Sequence, residues 1–226
     1  MHYEQIEPAI FLERPNRFIA VLDMEGRQEI CHVKNTGRCR ELLTPGARVL
    51  VQRRDQPGRS TKYDLISVWK GRRLINMDSS APNRVFGEWM RQGSFLEDVT
   101  RIRPEYSLGG SRFDFYLEAG GRPVLVEVKG VTLEEEGVVR FPDAPTQRGV
   151  RHLEELTALA QAGREAWVVF IIQLRGVRWL EPNWDTHPAF GQALRAAREA
   201  GVHLLALECD VTQDAITAAG PVELRL

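Results

Sequence analysis

The sequence predicts a two-part chain, a small OB-like β-barrel over residues 1–81 followed by an α/β domain over residues 82–226. Three observations predict it. Residues 1–80 read as short β-prone runs divided by turn chemistry. From Pro82 onward helix-spaced apolar positions alternate with strand-like runs. The length of 226 residues suits one large domain or two small ones.

In the first part the β-prone runs are Ala20 to Leu22, Glu29 to Val33, Val49 to Val51 and Tyr63 to Trp69. Turn residues separate them at Asp23-Met24-Glu25-Gly26, Asn35-Thr36-Gly37, Thr44-Pro45-Gly46 and Gln56-Pro57-Gly58. Such a pattern fits an OB-like barrel with a nucleic-acid-binding face. It equally fits a small antiparallel sheet with no binding role.

In the second part Val85, Phe86, Trp89, Met90 and Phe95 fall at helix-like spacings within residues 83–99, interrupted at Gly93. Two strands follow, Arg112 to Leu117 and Val124 to Val128. A helix over about Thr146 to Ala162 has Val150, Leu153, Leu156 and Leu159 as its apolar stripe, Thr146 as N-cap and Gly163 as C-cap. Trp167 to Ile172 is an unbroken apolar run, as a strand buried on both faces requires. A helix over Ala189 to Ala200 and a last strand over Val202 to Leu207 complete an α/β order.

Composition excludes several classes. A hydrophobic fraction of 43% and a charged fraction of 27% are those of a globular protein. No apolar run approaches the ~18 residues of a membrane span, and the N-terminus lacks a signal core, so a cytoplasmic protein is expected. Cys31, Cys39 and Cys209 are odd in number, against a disulfide framework. Cys31, His32 and Cys39 have the wrong spacing for zinc and no evident fourth ligand.

The net charge of −1 carries no global nucleic-acid signature, but its distribution is uneven. Residues 1–80 hold 14 Lys+Arg against 10 Asp+Glu. Within them Arg53, Arg54, Arg59, Lys62, Lys70, Arg72 and Arg73 face only Asp55 and Asp64 in sequence. Arg53, Arg54, Arg72 and Arg73 are therefore candidate DNA contacts on the barrel.

The chemistry is concentrated on one hairpin. A two-residue Gly120-Gly121 turn, or a four-residue loop over 119–122, places Asp114 opposite Glu127 and Arg112 opposite Lys129. Alternation puts Glu127 and Lys129 on one face and leaves Phe113, Phe115, Leu117, Val124, Val126 and Val128 as a wholly apolar, buried face. Two carboxylates with Cβ atoms ~5 Å apart repel unless a cation lies between them. A hard ion such as Mg²⁺ or Mn²⁺ suits such an oxygen pair, and a nearby lysine offsets charge developing on a phosphate. The alternative is a solvated hairpin face with cross-strand ion pairs, and a three-residue loop would separate the two acids.

Phe141 to Gly149 opens the helix after this hairpin. Thr146 and Arg148 there either meet a phosphate at the helix N-terminus or serve only as cap and surface. His152, one turn later, either faces the site or lies on the surface. Asn35 is either a turn former or a phosphate contact, and Arg112 is a further candidate DNA contact.

Asp114 followed by Glu127-Val128-Lys129, between two helices, resembles the PD-(D/E)XK nuclease core. A narrower resemblance spans nearly the whole chain. His32-Val33-Lys34-Asn35-Thr36-Gly37, Ser111-Arg112-Phe113-Asp114, Glu127-Val128-Lys129-Gly130-Val131-Thr132-Leu133, Phe141 to Gly149 and His152-Leu153-Glu154-Glu155-Leu156 resemble the sugar fermentation stimulation protein family. The resemblance implies an N-terminal OB-fold, a C-terminal PD-(D/E)XK nuclease-like domain, DNA as partner, and a connection with sugar catabolism of the maltose type. It implies Asp114 and Glu127 as metal-binding acids, Lys129 as the catalytic-type lysine and Glu88 as the upstream helical acid. Leu174 departs from it, since the family commonly has arginine there.

Two readings follow: metal-dependent phosphodiester hydrolysis by a DNA-binding protein, or a non-catalytic DNA-binding regulator. A sugar-cleaving enzyme with paired acids would leave Lys129 unexplained.

Overall fold

The computed structural model describes residues 1–35 and 37–226. Strands β1 (Ile6–Asn16), β2 (Ile19–Met24), β3 (Arg27–His32), β4 (Arg48–Arg53), β5 (Tyr63–Lys70) and β6 (Arg73–Asn76) form one sheet in the order β3-β2-β1-β4-β5-β6. A parallel pairing of β3 with β5, at Cys31↔Tyr63 and His32↔Asp64, closes the first five strands into a barrel. The β2–β3 turn is encoded locally: Asp23 accepts the Gly26 N–H, and Glu25 and Gly26 both have positive φ. Ala9, Phe11, Ala20, Leu22, Cys31, Val49, Val51 and Leu65 fill the interior.

Strand β1 carries no simple alternation, because two register shifts against β2 interrupt its pleat. Of the Asn35-Thr36-Gly37 turn, Thr36 lies outside the described residues. Asn35 Oδ1 accepts the Gly37 N–H, and the Arg14 guanidinium donates to the carbonyls of Asn35, Gly37 and Arg38.

The second part begins with α1 (Ala81–Arg91), which ends before Gly93 (φ +76°). The helix-like spacing therefore does not continue to Val99; Phe95 instead folds back edge-to-face onto Phe86 and Trp167. Strands β7 (Val99–Leu108), β8 (Ser111–Ala119), β9 (Arg122–Val131), β12 (Glu165–Ile172), β14 (His203–Val211) and β15 (Ile216–Pro221) form a sheet in the order β15-β14-β12-β9-β8-β7. The three central strands are parallel and the flanking pairs antiparallel. A small sheet of β10 (Glu134–Glu135), β11 (Val138–Phe141), β13 (Trp179–Pro182) and β16 (Glu223–Leu224) lies beside it, with helices α2 (Gln147–Gln161) and α3 (Pro188–Glu199). The strand over Val202 to Leu207 is thus not the last one. No helix is long and apolar enough to cross a membrane among the described residues.

The barrel and the α/β part share one apolar cluster, in which Val33, Leu43 and Met77 join Phe113, Leu125 and Val139. Polar ties reinforce the junction. Gln173 donates to Asn76 Oδ1 and to the Asp78 carbonyl, and Arg73 and Lys70 both reach Glu134. The three cysteines are free and buried; burial pushes the Cys39 and Cys209 thiols up to about 12, and the Cys31 thiol is raised as well.

Asp64, only 1% exposed, anchors a cationic cluster of Arg54, Arg59 and Lys34, with His32 Nδ1 at 3.4 Å. Burial alone raises its pKa, but the Arg59 hydrogen bond with the Lys34 and Arg54 charges holds the carboxyl below its usual range. Glu134 is likewise lowered, its burial outweighed by the Gly137 N–H, Lys70 and Arg73. A lowered folded-state pKa stabilises above the unfolded value, and that stability is lost as pH falls through the folded value. Denaturant titration should therefore show stability declining below about pH 4. Asp64→Ala, which removes the buried carboxylate shared by the part-exposed Arg54, Arg59 and Lys34, should cost ~1–3 kcal/mol at neutral pH. A flat profile in that acid range, or a neutral substitution, contradicts this role.

Candidate functional site

Gly120 and Gly121 both have positive φ (+55° and +74°), as a two-residue hairpin turn needs. The turn sets the register Ala119↔Arg122 through Phe115↔Val126. Pairing stops at that point, one step short of Asp114. The Asp114 side chain takes over from the ladder: Oδ2 accepts the Val128 N–H at 2.8 Å, and Oδ1 accepts from Asn83 Nδ2 on α1 at 2.7 Å. Phe113, Phe115, Leu117, Val124, Val126 and Val128 are buried as a face should be.

The opposite face is covered as well. Glu127 is only 4% exposed, flanked on β12 by Val168. Helix α2 supplies its ceiling. Thr146 caps that helix by accepting the Gly149 N–H at 3.0 Å, and its own N–H donates to His187. Two turns into the helix, His152 Nδ1 meets Glu127 Oε1. Lys129 Nζ donates to the same oxygen at 2.5 Å. Arg148 Nε donates to His152 Nε2 at 3.3 Å, which leaves the imidazole proton on Nδ1, facing Glu127. His152 is therefore a site residue and not a surface one. Asn83 is a site residue that the sequence did not single out; its signal was only its position in the first turn of α1.

Glu127 Oε2 is buried and has no hydrogen-bond partner among the described residues. A buried carboxylate oxygen left unpaired is costly. With Asp114 alongside, these residues fit a hard divalent cation. Among the described residues no group of three His, Cys, Asp or Glu is gathered as a ligand set. The protein side therefore amounts to two carboxylates, the arrangement Mg²⁺ tolerates when water and phosphate complete its shell. Burial first, and then the Glu127 charge, raise the Asp114 pKa above the usual carboxylate range.

The remaining candidates are dispersed. Glu88 lines the same cavity as Asp114, Asn83, Arg84 and Arg91, of about 500 Å³, but its carboxylate pairs with the Met1 amino group at 2.5 Å. The barrel arginines do not form one open patch. Arg54 is held by Asp64, Arg73 by Glu134 and the Gly176 carbonyl, and Arg53 by Asp55. Arg72 and Arg112 are exposed and have no ion pair among the described residues. Arg148 is exposed near the site, and Asn35 lies on the Arg14-braced loop, where Gly37 is packed against Asp143. Leu174, at the departure from the family pattern, is wholly buried and packs in the core.

Residues 80–215 match the family described as the sugar fermentation stimulation protein RE domain, and residues 12–77 match the SfsA N-terminal OB domain. This chain belongs to the sugar fermentation stimulation protein family. A sugar fermentation stimulation protein homolog of Desulfitobacterium hafniense is 58% identical over 226 residues, covering 100% of this chain and 99% of the relative. One of Clostridium beijerinckii is 50% identical over the full length of both. The solved structure of Pyrococcus furiosus SfsA in complex with Ca²⁺ superposes with a TM-score of 0.91 at 30% identity, covering 100% of this chain and 98% of that one. For this member of the family, then, the barrel is an OB domain and the second part an α/β domain.

Because the Glu127 charge contributes to the raised Asp114 pKa, Glu127→Gln should move that pKa downward. Carboxyl ¹³C NMR titration of Asp114 reads this directly; an unchanged or higher value would show that the two acids do not sense each other.

Proposed function

We propose that this protein binds DNA and hydrolyses phosphodiester bonds with Mg²⁺ or Mn²⁺ at the Asp114–Glu127–Lys129 centre. The observation that carries the reading is the unpartnered, buried Glu127 Oε2 beside Asp114, with Lys129 on the other oxygen of the same carboxylate. The PD-(D/E)XK-like order of these residues, on β8 and β9 between α1 and α2, agrees with it. So does the Ca²⁺ bound by the similar Pyrococcus furiosus protein.

When bound, a hard divalent cation supplies Lewis acidity and neutralises charge on the reacting phosphate. Asp114 and Glu127 hold it, and their own hydrogen bonds to Asn83, Val128, Lys129 and His152 fix where their oxygens point. The Lys129 ammonium, two residues along the same strand face, stabilises charge growing on the phosphoryl oxygens. The exposed Arg148 and Arg72 are suited to phosphates farther along the strand. Arg54 and Arg73 act in the fold instead, since their ion pairs are already made.

The family's name gives weight to a second reading, DNA binding without cleavage in the control of sugar catabolism, in which the same site holds a metal structurally.

Cleavage of single-stranded, duplex and branched DNA with Mg²⁺ or Mn²⁺ separates the two. We expect hydrolysis that falls by about 100-fold or more in Glu127→Ala and Lys129→Ala, while DNA binding persists. Absence of cleavage on every substrate, with Mn²⁺ still raising the melting temperature of the wild type and not of Glu127→Ala, would replace the nuclease reading with the regulatory one. Arg72→Ala should also reduce the slope of log affinity against log salt by about 0.9; an unchanged slope removes the barrel from the DNA contact.

A further inference from the structure

Glu127 is held asymmetrically. Both of its donors, Lys129 Nζ and His152 Nδ1, converge on Oε1, and Oε2 is left buried with none. Lys129 is a neighbour on the same strand and follows wherever β9 goes. His152 comes from α2, 25 residues away in sequence, with its side chain 15% exposed. Among the described residues it is the one side chain from another element that binds the Glu127 carboxylate. Its ring is held in turn from the far side by Arg148 Nε at 3.3 Å. Arg148 can only donate, so the ring nitrogen it meets must accept, and the ring proton is directed to Nδ1.

We infer that His152 is a positioning residue for the metal ligand: its Nδ1–H fixes the Glu127 carboxylate rotamer by occupying Oε1, so that Oε2 is the oxygen offered to the cation. Arg148, donating to Nε2, and the Glu127 carboxylate, accepting at Nδ1, both favour the tautomer that makes this possible. The inference rests on the metal-site reading above and deepens it. Carboxylate ligands are hydrogen-bonded by outer groups of this kind, and losing one typically lowers metal affinity 10–100-fold. In this arrangement the outer group also leads to an exposed arginine, so a phosphate that draws Arg148 away acts on the metal ligand through one imidazole.

The test is calorimetric titration of the full chain with Mn²⁺ alone, without DNA. Glu127→Ala should abolish binding. His152→Ala should weaken it 10–100-fold, and His152→Asn, whose amide nitrogen falls near the position of Nδ1, should restore most of the loss. Circular dichroism confirms that each variant is folded. Long-range ¹H–¹⁵N NMR of the wild type should show the His152 proton on Nδ1, and a proton on Nε2 alone overturns the inference. Wild-type-like affinity in folded His152→Ala overturns the inference while leaving the metal site standing, as does His152→Asn binding no better than His152→Ala. A wild type that binds no Mn²⁺ overturns the metal-site reading itself, and the inference with it.

Discussion

A carboxylate removed from water needs replacement partners, and Glu127 has them on one oxygen only. Much of the second part of the chain is arranged around that imbalance. Strand β9 must be central to bury Glu127, which requires β8 on one side and β12 on the other. Helix α2 must be capped at Thr146 to begin where it does, because its start fixes the turns on which Arg148 and His152 lie. Helix α1 must approach the end of the β8–β9 pairing for Asn83 to reach Asp114. That approach is close: a Cβ on Gly130 would come within 2.7 Å of both Pro82 of α1 and Gln173. The site is thus overdetermined by secondary structure, which is how two acids can be kept near each other at the cost of a raised Asp114 pKa.

The barrel is joined to this framework by buried polar groups as well as by apolar contact. Asn76 receives a hydrogen bond from Gln173, which follows directly on β12, and Gln173 also donates to the Asp78 carbonyl just before α1. Unsatisfied, these groups would be expensive, so the junction is specific in register. The arginines of residues 53–73 belong partly to that structural network, which shifts the proposed DNA contact toward Arg72 and residues nearer the site.

What the sequence disclosed follows from local physics. The hairpin register was readable because a Gly-Gly turn admits few geometries and one face is wholly apolar. Helix α2 was readable from its period and its caps. Strand β7 was not, since it is an edge strand with most of its residues at least partly exposed and Pro104 within it, and so it carries no buried period. Strand β1 was hidden by Pro8 and by the bulges that break its alternation. The closeness of Asp114, Glu127 and Lys129 was readable from the hairpin spacing, which left a solvated ion-pair face as the alternative. Neither the orientation of His152 nor the pairing of Arg73 with Glu134 was, because each depends on a partner brought close only by the fold. For the same reason a run of basic residues did not reveal that Arg54 was already committed to a buried aspartate.

Anomalous diffraction from crystals soaked in Mn²⁺ would locate a cation held between Asp114 and Glu127. We expect a peak about 2 Å from Glu127 Oε2 and from an Asp114 carboxylate oxygen, lost in Glu127→Ala crystals. A peak elsewhere in the molecule, or none at this pair in well-ordered soaked crystals, would contradict it.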